Sequence, residues 1–258
     1  MSLPSIAELR AKIHPPGLLE RRSGEHWAGR LYMRRLSPYA TRWFLRLGLS
    51  PNQLTGIMIV FGVGAGFALV IPGLAGAVLA AVLVQIYLLL DCSDGEVARW
   101  TGQTSTAGIY LDRVGHYFSE AALLVGLGFR AAAGTLDGPG AVYAVLGLAA
   151  ALGAVLIKAE TDLVDIARAR DGLAAVTEES VEPRSAVLAK ARRAALVLKF
   201  YRLILAIELS LIIVVAAVVD ALRGDLLATR VLVVACAVIA AVQVVLHLVS
   251  VLVSRRLS

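Results

Sequence analysis

Asp91 and Asp94 stand three residues apart, and Asp112 and His116 four apart, within the stretch DCSDGEVARWTGQTSTAGIYLDRVGH. On a helix each pair shares a face, because residues three and four apart are surface neighbours. Several carboxylates cannot all stay ionised at close range without a cation between them. Oxygen ligands suit magnesium, manganese or calcium rather than zinc. Two such ions about 4 Å apart would clamp a phosphoryl group in transfer. An imidazole one turn after a carboxylate can accept a proton from a hydroxyl at neutral pH. Gly95, Ala98 and Gly108 are small, so a bulky ligand could approach the helix backbone there. Arg99 offers a planar fork for a phosphate or a carboxylate. Each residue also has a plainer reading. Two aspartates can be a solvated helix end, a glycine a packing contact, and Arg99 an anchor at the membrane boundary.

The elements that must position these groups are apolar. The stretch directly follows LAGAVLAAVLVQIYLLL. Of the 258 residues 59% are hydrophobic, and the mean hydropathy is +0.78. A soluble domain is about 45–50% apolar, so most of this chain belongs in lipid. Its length divides into spans of about 20 residues. The expected fold is all-α and integral to the membrane, with six transmembrane helices at roughly 51–71, 74–99, 107–132, 140–168, 198–222 and 227–253. Ser50-Pro51-Asn52 reads as the first start, a capping serine with proline at the first helical position. The turn TGQTST brings the second and third spans together antiparallel, so both polar faces meet just inside one membrane boundary.

Ahead of the spans, residues 24–49 interleave Trp27, Leu31, Leu36, Trp43, Phe44 and Leu47 with Arg30, Arg34, Arg35, Arg42 and Arg46. That pattern describes an amphipathic helix lying in the membrane interface. Residues 1–23 read as a poorly ordered, proline-punctuated tail, with no apolar segment of the signal-peptide kind. The division is therefore 1–50, tail and interfacial helix, and 51–254, a six-helix domain. The formal charge is +6 and the pI about 9.6. The basic residues cluster outside the spans, which points to anionic lipid rather than nucleic acid. They are dense in the N-terminal segment, in the 172–199 loop and at Arg255-Arg256, and sparse near 72, 136 and 224. Six spans with both termini and the aspartate cluster on the cytoplasmic side satisfy that bias, and place the chain in the cell membrane as a multi-pass protein. Cys92 and Cys236 each fall in or beside an apolar run, so no structural disulfide is expected.

The spacing D-x2-D-G-x2-A-R-x8-G-x3-D-x3-H, from Asp91 to His116, resembles the signature of the CDP-alcohol phosphotransferases, D-x2-D-G-x2-A-R-x8-G-x3-D-x3-D. The P-N-x-x-T start at Pro51, Asn52 and Thr55 extends the likeness, as do the six spans and the basic interfacial helix. The resemblance implies that Asp91, Asp94 and Asp112 hold Mg2+ or Mn2+, two ions in all. Asn52, Thr55, Gly95, Ala98, Arg99 and Gly108 would bind the nucleotide of a CDP-linked donor. Such enzymes pass a substituted phosphate from a CDP-alcohol, such as CDP-diacylglycerol, to a hydroxyl acceptor and release CMP. Members are commonly homodimers, which the resemblance implies here too. The last signature position departs from the family: His116 stands where a fourth aspartate acts as base or ligand. A histidine keeps a base in place and leaves three carboxylates.

Lys158, Arg168 and Arg202, with Arg170 and Lys199 nearby, would bind a phosphate on the acceptor. Alternatively they anchor the spans, with Glu160, Asp162 and Asp165 as neutralising neighbours. Glu96 and Glu120 border the same region. Two other functions compete. A non-catalytic lipid- or nucleotide-binding relative is suggested by His116 alone. An ion-coupled transporter would need mid-span charges and repeat symmetry, whereas these charges sit at a span end and no repeat is evident.

Overall fold

The computed structural model describes residues 3–13, 29–174, 206–254 and 256–257. Among the described residues every regular element is helical. In chain order these are α1 (Ile6–Ile13), a π turn (Gly29–Met33), α2 (Arg34–Arg46), α3 (Pro51–Ala68), α4 (Gly73–Thr101), α5 (Thr106–Ala131), a 3-10 turn (Gly138–Gly140), α6 (Ala141–Arg170), α7 (Ala206–Arg223) and α8 (Leu227–Val253). Among the described residues three helices are long and apolar enough to cross a membrane: α4, Gly138–Arg170 and α8. A fourth is reached if α2 and α3, bent by 119° at their junction, form one broken span. Helix α5 is more polar because it carries Asp112, Arg113, His116, Glu120 and Arg130.

Ser50 starts α3 as its spacing predicts. Its hydroxyl accepts from the Gln53 amide, and the Gln53 side chain accepts in return from the Ser50 amide. This reciprocal capping satisfies two donors that the first helical turn leaves open. Helix α1 overturns the expectation of a poorly ordered tail over its eight residues. Ser5 and Glu8 form the same reciprocal cap, and Leu9 and Ile13, one turn apart, are fully buried. Of the interfacial helix expected over 24–49, α2 covers 34–46, and residues 24–28 lie outside the described residues. Its protein-facing side is Ser37, Pro38, Thr41 and Phe44, while Leu36, Tyr39 and Trp43 stay exposed.

The core is built around α3, α4 and α5, with α6 packed on α5, α8 on α6, and α7 on α4. Close approach depends on missing side chains. A Cβ at Gly126 would lie 2.1 Å from the Gly66 carbonyl oxygen, and one at Gly128 would lie 2.8 Å from the Cα of Gly147. Small residues at such spacing let backbones meet directly, which is how helices associate without a hydrophobic drive from water.

Candidate active site

Helix α4 ends at Gly102, whose φ of +71° is the left-handed conformation that glycine adopts without a Cβ clash. The chain then turns within a few residues. Ser105 caps α5 by accepting from the Gly108 amide at 3.0 Å. After this reversal both helices pack on α3 rather than closely on each other, and the expected meeting of polar faces is made by long side chains, His116 of α5 reaching Asp91 of α4.

They line an open cavity of about 400 Å³ with the start of α3. Its walls include Asn52, Thr55, Asp91, Asp94, Gly95, Ala98, Gly108, Asp112 and His116. Of the proposed site residues, these nine therefore share one space. The imidazole Nε2 of His116 lies 3.2 Å from Asp91 Oδ1 and 3.5 Å from Asp112 Oδ1. One ligand atom from each of these three residues falls within 4.8 Å of the others. Asp94 is held differently. It is 8% exposed, and its two oxygens accept from Thr55 Oγ1, at 2.7 Å, and from the Gly95 amide. Two donors to one carboxylate set the plane of the group.

The glycines leave room on the cavity side. A Cβ at Gly108 would sit 3.0 Å from Asn52 Oδ1, and one at Gly95 would sit 3.1 Å from an Arg99 guanidinium nitrogen. Arg99 thus lies over Gly95 at the edge of the site, outside the cavity wall.

A second cavity, about 350 Å³, opens on the far side of Asp112 and His116. It is lined by Arg113, Tyr117, Ile157, Lys158 and Thr161 together with those two. Lys158 pairs with Glu120 at 3.2 Å. Asp162, read from sequence as a neighbour of the cations on α6, instead takes Arg113 and the Tyr117 hydroxyl of α5. Arg168 reaches the carbonyls of Ala174 and Arg256 and lines neither cavity. Lys199 and Arg202 lie outside the described residues. Glu96 faces away from the site: it is fully buried and accepts from Ser37 Oγ at 2.5 Å and Thr41 Oγ1 at 2.7 Å, tying α2 to α4.

Tyr87 belongs to the site although it lies inside the apolar run. Its phenol hydrogen-bonds His116 Nδ1, on the ring edge opposite Asp91. The signal was its spacing: Tyr87 precedes Asp91 by four residues and so shares its face.

The family model for CDP-alcohol phosphatidyltransferase matches residues 48–222. The chain is 35% identical over 81 residues to an archaetidylinositol phosphate synthase from Pyrococcus horikoshii, covering 31% of this chain and 42% of that one. It is 27% identical over 149 residues to a bifunctional IPC transferase and DIPP synthase from Thermococcus kodakarensis, covering 58% of this chain and 32% of that one. The chain thus spans less than half the length of either relative.

Proposed function

Because this chain belongs to the CDP-alcohol phosphatidyltransferase family, we propose that it transfers a substituted phosphate from a CDP-linked lipid alcohol to an acceptor hydroxyl, releasing CMP in polar-lipid synthesis. One observation carries the reading: Asp112 and His116 form the wall shared by two cavities. A donor in one and an acceptor in the other would meet at that wall.

The donor's nucleotide occupies the first cavity, where Gly95, Ala98 and Gly108 leave space and Asn52 and Thr55 face inward. The oxygen donors fit a hard divalent cation, since the Asp91 and Asp112 carboxylates converge beside His116 and no thiolate joins them. Asp91, Asp94 and Asp112 would hold Mg2+ or Mn2+, two ions in this reading. When bound, the metal neutralises the charge of the diphosphate and of the departing CMP. Thr55 and the Gly95 amide keep Asp94 oriented. The acceptor lies in the second cavity, with Lys158 and Arg113 near its phosphate. A phosphorylated polyol suits that charge, and inositol phosphate is the first to test, given the relative that is an archaetidylinositol phosphate synthase. His116 Nε2 takes the hydroxyl proton as that oxygen bonds to phosphorus, and the bond from phosphorus to CMP breaks with its electron pair leaving on CMP.

The same proposal includes a catalytic domain over 51–254 with six spans, preceded by the interfacial segment of 1–50, both termini cytoplasmic, in a homodimer in the cell membrane. The exposed Leu136, replaced by cysteine, should then react with impermeant reagents only from outside; labelling from the cytoplasmic side would reverse the topology. The chemistry is tested by incubating the purified chain in lipid with a panel of CDP-alcohols and phosphorylated polyols and following CMP. Release that needs both an acceptor and a divalent cation is expected. A folded protein that releases no CMP from any pair is a binding relative instead.

A further inference from the structure

Tyr87 is a polar group at the site that the transfer chemistry leaves unused. We propose that it is a positioning residue for His116: its phenol fixes the imidazole with Nε2 toward Asp91 and Asp112, and lets the ring carry its proton on either nitrogen. This inference rests on the reading above and names how the histidine at the departing signature position is made to work.

The geometry begins in the packing. Tyr87 is 3% exposed, on the face of α4 that carries Asp91. Its ring finds room because α3 has a glycine opposite: a Cβ at Gly62 would come within 2.9 Å of Tyr87 Cδ2. The two rings meet edge-on, 5.9 Å apart between centroids and at 84°. The phenol oxygen therefore reaches the Nδ1 edge of His116 instead of stacking on its face. With Nδ1 held, Nε2 is left pointing between Asp91 Oδ1 and Asp112 Oδ1.

The choice of a hydroxyl matters chemically. A carboxylate or carbonyl at Nδ1 would always accept, locking the proton on that nitrogen. A phenol both donates and accepts. When Tyr87 donates to Nδ1, the proton sits on Nε2 and points at Asp91, 3.2 Å away. When Tyr87 accepts from Nδ1–H, the Nε2 lone pair faces the cavity. A base needs the second arrangement. The ring holds one proton in either form; one is lost to and one regained from solvent through the open cavity.

The test uses the full chain labelled with 15N-histidine in detergent or nanodiscs. There are four histidines, and His116 is assigned by the signals lost in His116→Gln. Nitrogen shifts separate a protonated ring nitrogen from a bare one. Adding Mg2+ to wild type should move the proton from Nε2 to Nδ1. In Tyr87→Phe the Nδ1 partner is gone, so the ring should stay protonated on Nε2 at every Mg2+ concentration. The variant's kcat for CMP release should fall about tenfold to a hundredfold, the usual worth of such an outer partner, with KM for the CDP-alcohol unchanged. A Tyr87→Phe protein that follows the wild-type nitrogen response overturns the proposal. So does a wild type whose tautomer ignores Mg2+, a result that needs no variant to fold. The two readings fail separately. A Tyr87-dependent tautomer change without CMP release would sink the transfer reading and keep the pair. CMP release with a tautomer indifferent to Tyr87 would do the reverse.

Discussion

Near the N-terminal end of α5, Gly108 faces the Asn52 side chain, 3.0 Å from where a Cβ would be; five turns on, Gly126 lies against the Gly66 backbone, with only 2.1 Å left for a Cβ. Both glycines belong to one helix and both face α3. The first neighbour is the end of a side chain, which can rotate away. The second is a carbonyl inside a helix, which cannot move without its hydrogen bond. The missing Cβ therefore leaves cavity space at one end of the helix pair, where the proposed donor would bind, and sets the backbone contact at the other. The difference lies in what stands opposite, since the residue type is the same.

Substitutions can break that contrast. The largest effect is expected at the seam. Gly126→Leu would drive α3 and α5 apart, and overpacking without room to relax is strongly destabilising. No monodisperse protein should emerge from size-exclusion chromatography in detergent; a well-folded Gly126→Leu would remove the distinction between the two ends.

Within the site, His116→Ala should keep the fold and lose roughly a hundredfold to ten-thousandfold in kcat, the range for a positioned base. His116→Asp should retain more activity than alanine. Its acidic limb should lie at lower pH, because a base must be unprotonated and the reference values are about 3.9 for Asp and 6.5 for His. A pH–rate profile of the three proteins at saturating metal decides this. An alanine variant with near-wild-type rate and an unchanged acidic limb would leave His116 without a role as base.

Asp94→Asn should slow CMP release by about a hundredfold, since it removes charge where the proposed cation would sit. Melting should change little, because the Gly95 amide can still donate to the asparagine oxygen while the new NH2 donates to the Thr55 hydroxyl. Full turnover in Asp94→Asn, or in chelator, would refute the metal assignment. The smallest effect belongs to Gly108→Leu. Binding of the CDP-alcohol should weaken by roughly tenfold while melting holds or rises, because glycine costs a helix about 1 kcal/mol relative to good formers. Unchanged nucleotide affinity, measured by titration calorimetry, would put the pocket elsewhere.

Much of the site was legible along the chain. The three-residue and four-residue spacings fixed which faces of α4 and α5 carry the carboxylates and the imidazole. The serine–proline start placed α3 at Pro51, and the reversal near Gly102 was marked by its turn residues. Other groups were hidden for definite reasons. Tyr87 sits in an apolar run, and its polar tip gains meaning only from a ring on the next helix. Glu96 follows Gly95 in the signature region, yet it points to the other side of α4, toward partners 55 and 59 residues earlier in the chain. The short α1 was missed although its Ser5–Glu8 cap is written in the residues, because Pro15 and Pro16 just beyond it suggested an open tail.

The amino-acid sequence by itself determined the membrane character, the helical faces and the family signature, because composition and helical periodicity act locally and survive any arrangement of neighbours. Tertiary structure decided which faces meet. Glycine contacts between α3 and α5 set the distance and rotation of those helices, and no residue spacing within one helix encodes the rotation of another. That packing gave Asp94 to Thr55, and grouped Asp91 and Asp112 with His116. It also put Asp112 and His116 on the wall between two cavities, a position that depends on α3 standing on one side of α5 and α6 on the other.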